Sequence, residues 1–152
     1  MIDVMLDTSA VNRILDTGVD PESLAIGSCI YLTHIQVNEL QATRNEERLR
    51  RLLDVAEQIP HFQIPTSVAV WGVSEWGGAE FDSNGDGRFG AMLASLNERN
   101  RAKPNNQMDA LIGITALRRN LTLVTNDRDL LEVVREFGGS AMTSEEFLAH
   151  AR

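Results

Sequence analysis

The spacing of apolar positions changes period along the chain, and the changes mark alternating strands and helices. Residues 2–6 (IDVML) are apolar and β-branched, and they stop at the capping cluster Asp7-Thr8-Ser9. That predicts a strand followed by a short helix over Ala10–Leu15, which Gly18 and Pro21 end. CIYLT at 29–33 reads as a second strand. It runs into Thr33-His34-Ile35-Gln36, a capping-box spacing that opens a helix through Val37, Leu40 and Ala42. From Asn45 to Gln58 the residues Leu49, Leu52, Leu53 and Ala56 fall at i, i+3, i+4 and i+7, with Arg and Glu on the other side, so a second helix follows. Phe62–Ile64 reads as a short strand closed by Pro65. VAVWGVSEW fits both periods, with Val68, Trp71 and Gly72 spaced for a helix but Val68, Val70 and Gly72 alternating as in a strand. Helices are predicted over 89–99 and 107–119, a strand at 121–125, and a helix over 128–137 ended by Gly138-Gly139. SAMT (140–143) is a last strand, and a terminal helix starts near Ser144. Alternation of this kind predicts an α/β fold whose mainly parallel sheet is covered by helices on both faces. Ligand sites in such folds lie beyond the carboxyl ends of the strands.

Length and composition narrow the picture. With 152 residues, one domain (1–152) is expected, and 43% hydrophobic residues give a chain of this size a core that needs neither disulfide nor structural metal. A lone cysteine, Cys29, is expected to be a small buried hydrophobe in a reducing compartment. The start, MIDVMLDTSA, has no basic cluster, and no apolar run approaches the ~18 residues of a membrane span, so a cytoplasmic protein is expected. The 14 Lys+Arg against 22 Asp+Glu leave a net charge of −8, which excludes binding to nucleic acid through a broad basic surface.

The chemistry lies in the acids. Asp7 ends the first strand and Asp127 sits two residues past LTLVT, so a parallel sheet brings both to one edge; each, taken singly, also suits a helix cap. Asp109 is the only charge between Met108 and Leu117, in a helix apolar on nearly every side, where a carboxylate is costly unless paired or metal-bound. The helix dipole in the first turn, just after Asn105-Asn106, is the competing account of it. Glu39 shares a helix face with Ile35 and Ala42 just past the second strand, in line with either a site residue or a solvated rim. Asp3 has the strand parity of Asp7 but lies ~13 Å away along the strand, too far to join the same cluster. Four carboxylates at one edge stay ionised together only around a cation, and all-oxygen ligation selects Mg²⁺ or Mn²⁺ over zinc.

The segments VMLDTSAV, VNEL, MDALIGITAL and LTLVTNDRDL, in this order, resemble those of PIN-domain ribonucleases, and among them VapC-like toxins of type II toxin–antitoxin pairs. The likeness spans residues 2 to 142. It implies a three-layer α/β/α sandwich and Mg²⁺- or Mn²⁺-dependent cleavage of single-stranded RNA, leaving a 5′-phosphate and a 3′-hydroxyl. It also implies a homodimer and a small antitoxin protein as partner. By position, Asp7, Glu39, Asp109 and Asp127 are then the catalytic and metal-holding acids, and Ser9 and Thr125 the supporting hydroxyls. Asp129 is an outer carboxylate or the cap of the last long helix. RNA would be held locally, through scattered arginines such as Arg13, Arg44 and Arg88. A metal-binding module without turnover, and a DNA nuclease or phosphohydrolase, are the alternatives that acids and a metal alone leave open. FDSNGDGRFG is longer and more acidic than the resemblance leads one to expect.

Other patterns weigh less. Asp82–Gly87 copies the first half of a calcium loop, but Leu93 stands where the bidentate Glu is needed, so an Asx/Gly turn between helices is the better reading. Asp7-Thr8-Ser9 opens an adhesion-type D-x-S-x-S pattern that Val11 breaks. His34, His61 and His150 share no ligand spacing and read as surface or cap residues. Trp71 and Trp76 suit a core or dimer interface better than base stacking.

Overall fold

The computed structural model describes residues 1–69 and 87–151. Among these residues five parallel strands form one sheet in the order β3-β2-β1-β4-β5: β1 (Ile2–Leu6), β2 (Ser28–Leu32), β3 (His61–Gln63), β4 (Thr122–Val124) and β5 (Ser140–Met142). β1 is central, and the chain winds outward from it first to β2 and β3, then to β4 and β5. Order therefore reverses between β1 and β4, which creates the crevice where doubly wound sheets bind ligands.

Parity within each strand sets the layers. Val4 and Leu6 point into a core built with α1 (Thr8–Thr17), α3 (Glu46–Gln58) and α7 (Ser144–His150), whose contributors include Val11, Ile14, Leu52 and Phe147. Met5, between them, points the other way, and so does Leu123 of β4. They meet α4 (Arg88–Asn100), α5 (Asn106–Arg118) and α6 (Arg128–Glu136) through Met92, Leu96, Leu111, Leu130 and Val134. α2 (His34–Gln41) gives Ile35 to this second core and Leu40 to the first. The α/β/α sandwich is thus present, with a wholly parallel sheet. Gly113 shows how closely the second layer packs: a Cβ there would lie 2.8 Å from Met92 Sδ.

Most predicted elements occur within a residue or two of their expected ends. The first helix begins earlier, at Thr8, because Asp7 takes the N-cap position, and a 3₁₀ turn over Pro21–Ala25 was not anticipated. The predicted capping box of Thr33 and Gln36 is present. Nearly all of VAVWGVSEW, with Trp71 and Trp76, and Asp82–Asp86 of the calcium-like segment lie outside the described residues. Gly87 is described and caps α4 with φ 70°, a left-handed conformation that favours glycine.

Candidate active site

β1 and β4 pair up to the crevice itself, where the Asp7 amide donates to the Val124 carbonyl at 2.9 Å. The Asp7 side chain is buried and, against the simple capping account, does not cap α1. Its Oδ2 accepts from Ser9 Oγ and from Thr125 Oγ1, both at 2.8 Å. Ser9 Oγ accepts from the Asn126 amide at 3.0 Å, and Thr125 Oγ1 from the Asp127 amide at 3.1 Å. One carboxylate, two hydroxyls and the turn after β4 are therefore a single network. Thr125→Val keeps the shape but removes the bond to Asp7 and leaves the Asp127 amide without an acceptor. It should destabilise the fold by about 1–3 kcal/mol in thermal unfolding.

Glu39 arrives from the other side. The buried Gln36 side chain donates from Nε2 to the Leu6 carbonyl at 3.0 Å, fastening α2 to the end of β1. Thr8, next to Asp7, donates its hydroxyl to Glu39 Oε2. Asp109 lies in the first turn of α5, buried, with Asn105 Nδ2 3.3 Å from its Oδ2. Asp127 does act as a cap: Oδ1 accepts the amides of Asp129 (2.9 Å) and Leu130 (3.1 Å). Asp129, in that first turn of α6, is not the cap.

The four acids act on one another electrostatically. Burial, together with the charges of Asp7, Glu39 and Asp127, pushes the Asp109 carboxyl up to about 8, against the partial relief of Lys103. Asp7 is raised by burial and less by Asp127, while the hydroxyls of Ser9 and Thr125 oppose the rise. Glu39 is raised by burial and by Asp7, with Thr8 opposing. Among the described residues no three Asp, Glu, His or Cys side chains form a ready-made cation cage. The donor set nonetheless fits a hard cation, since it is all oxygen and carries buried negative charge that one lysine only partly offsets.

Several expectations need correction. His34 is buried rather than at the surface, because the first turn of α2 faces the interior and Thr33 supplies the cap; among the described residues neither ring nitrogen has a hydrogen-bond partner. Cys29 is only half-buried, on a strand that alternates between buried and half-buried residues, with Sγ 3.5 Å from Met1 Sδ. Of the arginines named for RNA, whose role nothing in the structure tests, Arg13 pairs with Glu145 at 3.0 Å and Arg88 donates to the Phe137 carbonyl at 3.4 Å. Sequence reasoning missed Thr8 and Asn105 as partners of the acids. Their adjacency to Asp7, and their i−4 spacing from Asp109, were the available signals.

No family model matches the chain, and no curated protein does. Solved structures do. PAE2754 from Pyrobaculum aerophilum aligns with TM-score 0.57 at 18% identity, over 99% of this chain and 96% of that one. SSO1118, a PilT N-terminus domain protein from Sulfolobus solfataricus P2, aligns with TM-score 0.55 at 14% identity, over 99% and 93%. VapBC-1 from nontypeable Haemophilus influenzae aligns with TM-score 0.56 at 16% identity, over 95% and 99%. Likeness at such identities is a likeness of fold, and on that ground the chain has the fold of a PilT N-terminus (PIN) domain.

Proposed function

We propose that this chain is a metal-dependent endoribonuclease that cleaves single-stranded RNA, and that it is the toxin of a toxin–antitoxin pair with a small antitoxin protein as partner. The observation that carries the nuclease reading is Asp109, a buried carboxylate in the first turn of α5 on which the charges of Asp7, Glu39 and Asp127 all act. Nothing in the packing requires an acid there, and such an arrangement gains stability only by binding a cation. The PIN fold and the VapBC-1 likeness support the nuclease and toxin parts of the reading.

Asp7, Glu39, Asp109 and Asp127 would hold Mg²⁺ or Mn²⁺ through oxygen. A hard divalent ion supplies Lewis acidity, activating water and neutralising charge on the phosphodiester during in-line displacement. Ser9 and Thr125 fix the rotation of the Asp7 carboxylate. Gln36 and Thr8 set how far Glu39 stands from the end of β1. Asp127 spends Oδ1 on the α6 cap, which anchors the turn that carries it. With a cation bound, Asp109 would be held as the carboxylate, its proton released to solvent.

Purified protein should cut single-stranded RNA with Mg²⁺ or Mn²⁺ and stop when EDTA is added. Cleavage that survives EDTA and dialysis contradicts the metal mechanism. Assays on RNA, DNA and a phosphomonoester side by side separate this reading from a DNA nuclease or phosphohydrolase, and metal binding without turnover on any of them indicates a binding module. Growth arrest on expression, relieved by a co-expressed neighbouring gene product, tests the toxin role; the same cells growing normally would count against it.

A further inference from the structure

The turn between α4 and α5 has a construction that the fold alone does not explain. Arg101 and Ala102 are consecutive non-glycine residues in the left-handed region, at φ 59° and 54°. Side chains resist that conformation, and it persists only where surroundings impose it. Here three asparagines do so. Asn106, 1% exposed, donates to Asn97 Oδ1 (2.8 Å) and Asn100 Oδ1 (2.7 Å), and Asn100 donates back to Asn106 Oδ1 at 2.8 Å. The Ala102 amide reaches the Asn97 carbonyl at 3.0 Å, and the Asn106 amide the Lys103 carbonyl at 3.1 Å. Two residues beyond Lys103, Asn105 bonds Asp109 itself. The turn is thus held on one side by a part-buried amide cluster and on the other by the bond to Asp109.

What it presents is positive. Arg101 and Lys103 are exposed, and neither has a carboxylate partner among the described residues. Four other cations are tied to acids: Arg13 to Glu145, Arg48 to Asp16, Arg99 to Glu132 and Glu136, and Arg128 to Glu132. Lys103 also acts on the buried acid of the site, opposing the rise that burial and the other three acids cause. In a chain of net charge −8, two exposed cations stand on a turn whose backbone is held and whose next residues bond the site acid Asp109.

We propose that the Arg101–Lys103 turn is a phosphate-holding arm of the site, with Lys103 taking a backbone phosphate of single-stranded RNA next to the bond to be cut and Arg101 a phosphate further along. The proposal rests on the nuclease reading above and adds to it how an acidic protein grips a polyanion. The pinned backbone matters because a preset turn loses little freedom on binding.

The test is binding of a fluorescein-labelled, mixed-sequence single-stranded RNA 12-mer, with Ca²⁺ in place of Mg²⁺, across a salt series. Lys103→Ala should weaken binding by roughly 5–10-fold at low salt and reduce the slope of log K against log salt by about 0.7, the value of one lost phosphate contact on a single strand. Lys103→Arg should restore most of both. Mn²⁺ affinity, followed by electron paramagnetic resonance of the free ion, should hold or rise in Lys103→Ala, because a competing positive charge has gone. A merely structural role would lower it together with RNA affinity, and that result overturns the proposal. So does an unchanged salt slope, and so does an equal loss from Arg50→Gln, which removes one charge from an exposed position on α3. Wild-type protein that cuts RNA while Lys103→Ala binds and cuts as it does sinks this proposal alone. A Lys103-dependent salt slope in protein that cuts nothing sinks the nuclease reading and leaves the arm as a binding device.

Discussion

Replacing Asp109 with asparagine is expected to cut RNA cleavage by roughly 10²–10³-fold or more while making the metal-free protein more stable. The two effects have one cause. At neutral pH the folded chain must either hold a proton on Asp109 or carry its charge beside Asp7, Glu39 and Asp127, and the unfolded chain does neither. Asparagine has nearly the same shape, keeps an oxygen for the Asn105 side chain, and carries no charge at any pH. Removing the penalty should add on the order of 3 kcal/mol at pH 7–8. For a domain of this size that is roughly 6–12 °C in melting temperature. Most substitutions at buried positions destabilise, so a gain here marks a residue kept for something other than folding. A variant that melts lower than wild type without metal, or that still cuts RNA at the wild-type rate, would remove Asp109 from the site.

The layered fold was legible because its signal is local. Met5 between Val4 and Leu6, or Leu52 and Ala56 on α3, follow from period alone, and caps such as Thr33 with Gln36 are written into four residues. The positions of the acids were legible at one remove: each follows a strand or opens a helix, and a parallel sheet sends all those points to one edge. The strand order, which makes β1 and β4 neighbours and so places Asp7 against Asp127, is not local and was not read. Nor was the bond of Thr8 to Glu39, 31 positions away, whereas Thr125, 118 positions from Asp7, was expected as a supporting hydroxyl through the resemblance alone. His34 was misread for a related reason. A histidine next to a cap resembles a surface residue until the helix it starts is found to bury its first turn. The net charge was the least informative signal, because a count over the whole chain cannot show that Asp7, Glu39 and Asp127 act on the buried Asp109 while Arg101 and Lys103 stand exposed on the turn that Asn105 ties to it.

The second large effect is a reversal of the pH dependence of stability by metal. Asp109 takes its proton near 8 in the folded chain but near 3.8 when unfolded, and Asp7 and Glu39 are raised in the same direction. Between those values the folded state binds more protons than the unfolded one, so the slope of unfolding free energy with pH is negative. Stability is thus fullest below about pH 4 as far as these groups are concerned, and it drains away as pH climbs through 8. Without metal, the melting temperature should fall by roughly 6–12 °C between pH 5 and pH 8, which converts a loss of about 3 kcal/mol. Divalent cations compete with those same protons, so their affinity rises over the interval in which the metal-free protein weakens. At a hundredfold excess over its dissociation constant, bound Mn²⁺ adds about 2.7 kcal/mol. In saturating Mn²⁺ the fall should therefore flatten or turn into a rise, and Asp109→Asn should show neither the fall nor most of the rescue. Melting curves at pH 5, 6, 7 and 8, with EDTA or with Mn²⁺, decide it. A decline of the same size in both series would mean that the acids at the switch point titrate without gathering around a cation.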